Sequence, residues 1–171
     1  MDKPQLARRI KEVAYLEGDF VLRSGQHSKY YLDKYLFESQ PDILAELGRL
    51  LADRAGDADV IAGPELGAVT LAAAASLACG KPMAIVRKKS KDYGTEKLIE
   101  GAAVSGRRVL LVEDVCTTAG AALAAAETLR QAGATVTRIV FVIDRMQGGR
   151  QNVADAGFAF EALLTKEDMG I

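Results

Sequence analysis

A chain of 171 residues, 49% hydrophobic and 26% charged, is long enough to bury one substantial core and is composed like an ordinary globular domain. Its 22 Lys and Arg against 23 Asp and Glu leave a net charge of −1, which excludes a global field that would recruit nucleic acid or an anionic membrane. Any anion binding must therefore be local. Cys79 and Cys116 lie far apart, with no CxxC and a single histidine in the chain. That pattern argues against a zinc site or disulfide framework and for small buried hydrophobes in a reducing cytoplasm. The opening MDKPQLARRI has no apolar stretch of signal-peptide length, and the longest apolar run, Val69 to Cys79, is too short to span a bilayer. A cytoplasmic protein is expected. With no repeat, low-complexity tract or Pro/Ser-rich linker, residues 1–171 are expected to form a single domain.

The spacing of Leu6, Ile10, Val13 and Leu16 predicts a helix from about Gln5 to Glu17, stopped by Gly18. DFVLRSGQHSKYYLD then predicts two short strands around a turn at Ser24 to His27. Pro41 suits the first position of a second helix whose face carries Ile43, Leu44, Leu47, Leu50 and Leu51. Beyond it, DVIAG (59–63), MAIV (83–86), RVLLVE (108–113) and RIVFVID (138–144) are continuous apolar runs, as strands covered on both faces require. Ala/Leu-rich helices fill 67–79 and 119–132. This alternation predicts an α/β fold: a twisted, mainly parallel central sheet flanked by helices.

Ligands of open α/β sheets bind beyond the carboxyl ends of the strands. There the chain places GPELG, RKKSKDYGTEK, EDVCTTAG and DRMQGG. Glu113 and Asp114 would point to opposite faces of an extended strand, so both can address one ligand only if the chain bends as the strand ends. The residues that follow, Thr117, Thr118, Ala119 and Gly120, permit such a bend, and their N–H groups can cradle an anion beneath the next helix. The loop is neither a Walker A sequence nor GxGxxG. Two carboxylates suit ribose hydroxyls and a backbone nest suits one phosphate, which together describe a phosphorylated sugar. The plain alternative is an acidic strand end with a Thr117 or Thr118 helix cap.

The segment from Arg87 through Lys88, Lys89 and Lys91 to Lys97 reads as a basic lid over a polyanion, or else as a solvated charged loop. GPELG offers a second anion-binding loop, weak on its own. Arg145, after Asp144, could grip a carboxylate with both guanidinium arms; a surface pair with Asp144 is the plain alternative. His27 sits in a polar turn and is expected to be exposed.

These residues together resemble the type I phosphoribosyltransferases, and among them the orotate phosphoribosyltransferase group. VLLVEDVCTTAGAA resembles that superfamily's phosphoribosyl-pyrophosphate (PRPP) motif. FVLRSGQHSKYYLD, RKKSKDYG, VIDRMQGG and the terminal FAFEALLTKEDM resemble segments of the orotate group. The resemblance implies a small hood built from the N- and C-terminal segments. It also implies that Glu113 and Asp114 hold the ribose hydroxyls, and that Thr117, Thr118, Ala119, Gly120 and Ala121, with Val115 and Cys116 in the same motif, form the 5-phosphate site. Arg87, Lys88, Lys91 and Tyr93 would contact PRPP from the lid, with Lys91, Glu113 and Asp114 closest to catalysis. Arg23, Tyr31, Leu32, Thr117 and Arg145 would form the orotate pocket. Mg²⁺ held mainly by substrate and water, and a homodimer with shared active sites, are implied as well.

The chain departs from the group's common pattern at Gly67, where some members have a lysine, and at Tyr93, where many have a histidine. Ala119, Ala121 and Gln147 replace Gly, Ser/Thr and Glu. Two alternatives keep the same PRPP motif: a transferase for a different base, and a regulator of this fold that binds PRPP or a nucleotide without turnover. A receiver-type signalling domain also places acids at strand ends but has no use for a basic lid.

Overall fold

A computed structural model of the chain describes residues 1–21, 25, 27–89 and 97–171. The first helix, α1 (Lys3–Ala14), opens with a reciprocal cap: the Gln5 N–H donates to Asp2 at 2.8 Å and the Asp2 N–H donates to the Gln5 side chain at 3.0 Å. It ends at Ala14 rather than near Glu17, because Tyr15–Val21 form β1 and pair antiparallel with β2 (His27–Leu32). Tyr15 stacks on Tyr30 with ring centroids 5.4 Å apart, and this cross-strand packing outweighs the helical spacing of Leu16. A short helix, α2 (Lys34–Glu38), follows, capped by Asp33, which accepts the Tyr35 N–H. Next, α3 (Pro41–Ala52) begins on its proline as the sequence predicts.

The remainder alternates as β3 (Val60–Pro64), α4 (Ala68–Cys79), β4 (Met83–Val86), β5 (Ile99–Gly101), β6 (Arg108–Cys116), α5 (Gly120–Gln131), β7 (Thr135–Asp144), α6 (Gly149–Asp155) and β8 (Phe160–Thr165), closing with a 3-10 turn at Glu167–Met169. Six strands form one sheet in the order β5-β4-β3-β6-β7-β8, parallel throughout except where β5 meets β4. β3 is buried along its whole length and β6 nearly so, which is why their sequences are continuous apolar runs.

One core face joins Leu110 and Val112 to Ile10, Phe37, Leu47 and Leu71; the other joins Val109 and Leu111 to Ala122, Ala126 and Leu129. Near the end of β6 this alternation slips by one position, since Val115 packs with the first face and Cys116 with the second. The pairing of β6 with β7 stays in register past the acidic pair to Cys116 opposite Asp144; its one shift lies between Val109 and Leu110, so the structure shows no bend at Glu113 and Asp114.

The hood is built from α1, the β1–β2 hairpin and the C-terminal turn. Lys3 Nζ lies 2.9 Å from Asp168, and Lys11 Nζ donates to the Gly170 carbonyl at 3.0 Å, so the two ends of the chain are tied together. β8 does not join the hood; it is the edge strand of the main sheet beside β7.

Candidate active site

The strand order sets β4, β3, β6 and β7 side by side, so the four strand ends singled out in the sequence share one edge. A cleft of about 630 Å³ opens there. Pro64, Val86, Arg87 and Lys88 line one side, and Thr117, Thr118, Gly120 and Ala121 line the other together with the exposed side of α5. The start of the basic segment and the Thr-rich loop therefore face a common space. Arg23, Lys91 and Tyr93 lie outside the described residues.

The loop from Thr117 to Ala119 is held by its carbonyls. The Thr117 carbonyl accepts the Gly149 N–H at 3.0 Å, that of Thr118 accepts the Asn152 side-chain amide at 3.0 Å, and that of Ala119 accepts the Leu123 N–H at 2.9 Å. With those oxygens tied to α5 and α6, and no side chain capping α5, the first-turn N–H groups are left for an anion. The Thr117 or Thr118 helix cap considered above does not form. Ala119 has φ 64°, a left-handed conformation that costs a residue bearing a Cβ roughly 1 kcal/mol, so the loop's shape is imposed by its ties. Cys116 is fully buried beneath it, and burial, then the charge of Asp144, pushes its thiol up to about 12. It can offer the site its backbone and no thiolate.

On the opposite lip, Glu65 accepts the Lys88 N–H at 2.7 Å, and its other oxygen lies 3.9 Å from Arg87. Glu65, to which the sequence reading assigned no role, fastens the root of the basic segment to the end of β3. The Glu65–Leu66 peptide is cis. Gly67 precedes α4, whose N-terminus also lacks a side-chain cap.

Glu113 and Asp114 are 7% and 4% exposed. Asp114 is paired with Lys34 at 2.5 Å, a partner the sequence did not suggest. Burial first, then the adjacent Asp114 charge, pushes the Glu113 carboxyl up to about 8. With the Glu113 carboxyl held largely neutral by burial and Asp114 ion-paired, the acidic pair adds little negative charge to the cleft.

These shifts make stability depend on pH. Burial likewise lifts Glu38, which accepts from Thr70 Oγ1 at 2.7 Å, to about 7. In the unfolded chain both carboxyls titrate near 4.5. The folded state thus binds more protons between about pH 4.5 and about pH 8, and stability falls as pH rises through that window. Asp42, Glu46 and Asp168, all held low, are ionised in both states above about pH 5 and leave the slope unchanged. Urea midpoints of the free protein should fall from pH 5.5 to pH 8, and Glu113→Gln should flatten part of the decline; a level or rising wild-type curve contradicts the burial argument.

At the end of β7, Asp144 is buried and accepts the Met146 N–H at 2.8 Å, not the neighbouring guanidinium. Met146 itself is left-handed, at φ 57°, so the chain turns sharply just past Arg145. Arg145 Nη2 donates to the Tyr30 hydroxyl at 2.9 Å, and its guanidinium lies 5.3 Å from the centre of the Tyr30 ring. In β2 Ser28, Tyr30 and Leu32 share the inward face, while Tyr31 is 42% exposed and packs on Phe20. Tyr31 therefore reaches this corner only through its backbone. The side chain beside Arg145 is Tyr30, missed in the sequence although period-2 alternation from buried Leu32 points to it. His27 is exposed, 3.3 Å from Asp19.

Residues 37–166 match the profile of the phosphoribosyl transferase domain. The orotate phosphoribosyltransferase of Nocardioides sp. is 46% identical over 165 residues, spanning 96% of this chain and 92% of that one. A solved structure of the Mycobacterium tuberculosis orotate phosphoribosyltransferase with Fe(III) dicitrate superposes with a TM-score of 0.90 at 32% identity, covering 100% of each chain. The same enzyme solved in complex with PRPP gives 0.86 at 30% identity, again over 100% of both. The chain belongs to the phosphoribosyltransferase family, in its orotate phosphoribosyltransferase branch.

Proposed function

We propose that this chain transfers the 5-phosphoribosyl group of PRPP to a ring nitrogen of orotate, giving orotidine 5′-monophosphate and pyrophosphate in pyrimidine biosynthesis. The observation that carries this reading is a single sheet edge where an uncapped helix N-terminus, a buried acidic pair and Arg145 lie on neighbouring strands.

In this reading the N–H groups of the Thr117–Ala121 loop hold the 5-phosphate, and Glu113 and Asp114 hold the ribose hydroxyls. Arg87 and Lys88 attract the diphosphate from the opposite lip, with Lys91 and Tyr93 continuing the same basic segment. Arg145 takes the orotate carboxylate beside Tyr30, and Thr117, Arg23 and the backbone at Tyr31 and Leu32 complete that pocket. Breaking the anomeric bond builds positive charge on the ribose and negative charge on the departing diphosphate. Asp114 meets the first and the basic segment meets the second. Holding both substrates in line supplies the rest of the acceleration.

In this reading Mg²⁺ enters with PRPP and is held mainly by substrate oxygens and water. Mg²⁺ bound with PRPP would neutralise diphosphate charge, and Glu113 and Asp114 are the carboxylates that could help to hold it. Two copies of the chain, each lending its basic segment to the other's site, form the working unit in the cytoplasm. No described helix is long and apolar enough to cross a membrane.

A substrate panel tests the proposal: purified chain, PRPP and Mg²⁺ with orotate, uracil, adenine or hypoxanthine. Orotate should be consumed far faster than the other three. A preference for one of them would move the chain to a different base, and PRPP binding without turnover of any base would make it a binding protein.

A further inference from the structure

Lys34 opens α2, and its ammonium crosses to β6, where Nζ lies 2.5 Å from Asp114 Oδ2. The contact is largely shielded, with the Asp114 side chain 5% exposed and that of Lys34 32%. Burial pulls the ammonium down, but the hydrogen bond and charge of Asp114, joined by Glu113, more than offset it and leave Lys34 above its ordinary value. The second oxygen of Asp114 accepts the Val115 N–H at 2.5 Å. One oxygen is thus fixed by the backbone and the other by Lys34, so the carboxylate cannot turn.

Gly67, at the head of α4, makes this possible. Its backbone is ordinary, with φ −60°, so the glycine is not there for conformational freedom. A Cβ at that position would stand 2.0 Å from Asp114 Oδ2 and 2.6 Å from Lys34 Nζ. Three elements therefore close around one ion pair, and the smallest residue sits where a side chain would break it.

We propose that Lys34 is a positioning residue for phosphoribosyl transfer, acting through Asp114, with Gly67 providing the room for their contact. This rests on the reading that Asp114 binds the ribose of PRPP. Without the lysine, Oδ2 of Asp114 would lose the contact that holds it, and only the Val115 N–H would orient the carboxylate. A carboxylate free to turn would grip a ribose hydroxyl less strongly and would be poorly placed against positive charge developing on the ring. Lys34 keeps Asp114 aimed, so its loss falls on PRPP and on turnover, while orotate, gathered at Arg145, is spared.

The test is calorimetric PRPP binding without any base, alongside kcat and both KM values, for Lys34→Gln, Lys34→Arg and Gly67→Ala. Lys34→Gln, which keeps a donor but no charge, should weaken PRPP roughly 10- to 100-fold, the range for losing one charge-assisted hydrogen bond, and lower kcat, with the orotate KM within about twofold. Lys34→Arg should recover most of the loss. Gly67→Ala, which leaves the lysine in place, should reproduce the PRPP-selective defect and keeps the comparison alive if Lys34→Gln does not fold. PRPP binding by Lys34→Gln within about twofold of wild type would overturn the proposal. So would equal weakening of both substrates by all three variants together with a lowered Tm. Wild-type orotate turnover is scored separately: its absence with PRPP bound would end the transferase reading and leave the Lys34 comparison readable.

Discussion

Arg145→Ala should raise the orotate KM by about 100-fold while moving the PRPP KM by less than about threefold. The reasoning starts at the end of β7, where Asp144 spends its carboxylate on the Met146 N–H and thereby leaves the guanidinium of Arg145 to other partners. The Arg145 N–H donates to the Cys116 carbonyl at 2.9 Å, so the residue is anchored to the neighbouring strand at its backbone. The Tyr30 hydroxyl occupies Nη2 at 2.9 Å and orients the plane of the fork. A carboxylated base meeting that fork gains charge-assisted hydrogen bonds, each contributing about 1.5–3 kcal/mol, and loses them when the side chain is cut back. PRPP touches Arg145 in no part of the proposed arrangement. Tyr30→Phe removes only the orienting hydroxyl and should cost orotate about fivefold, the effect of one neutral hydrogen bond. Steady-state kinetics with each substrate varied in turn reads both effects. Equal losses for orotate and PRPP in Arg145→Ala would take Arg145 out of the base pocket.

What the sequence made legible and what it hid have different physical causes. The runs at 59–63, 83–86, 108–113 and 138–144 announce strands because a parallel sheet buried on both faces leaves no polar alternation to confuse the pattern. The polar signatures that follow them mark the site because strand ends of such a sheet converge on one edge. Lys34 was hidden for the opposite reason. The five residues of α2 are too few to show a helical period, and its partner Asp114 is 80 positions away. No local rule links the two. Leu16 misled because helical spacing and strand pairing compete at that point, and the pairing of Tyr15 with Leu32 together with its stack on Tyr30 decides the outcome. A bend was expected as β6 ends, so that both acids could meet one ligand, yet β6 runs on in register with β7 through Cys116; that pairing partner lies outside the segment.

Gly149→Ala should both destabilise the protein by about 2–3 kcal/mol and weaken PRPP by about 100-fold, because it pushes on the phosphate loop from below. A Cβ at Gly149 would stand 2.2 Å from Cys116 Sγ and 2.7 Å from the Thr117 carbonyl oxygen, with the Ala119 nitrogen at 3.4 Å. None of these neighbours is the free end of a flexible chain. Cys116, the last residue of β6, is fully buried in the core, and the Thr117 carbonyl is the acceptor of the Gly149 N–H itself. Relief must come from moving α6 away, which breaks that bond and the Asn152 bond to Thr118, or from moving the loop, which turns its N–H groups off the phosphate. The neighbouring glycine separates this cause from backbone strain. Gly148, at φ 92°, has open space around its Cβ position, so Gly148→Ala should cost about 1 kcal/mol of stability with PRPP affinity nearly unchanged. Adding Cys116→Ala to Gly149→Ala removes the nearest obstructing atom and should restore part of the affinity. Urea denaturation and PRPP calorimetry on the four proteins decide the matter. Wild-type PRPP affinity in Gly149→Ala would mean that the loop's shape does not depend on the packing of α6 beneath it.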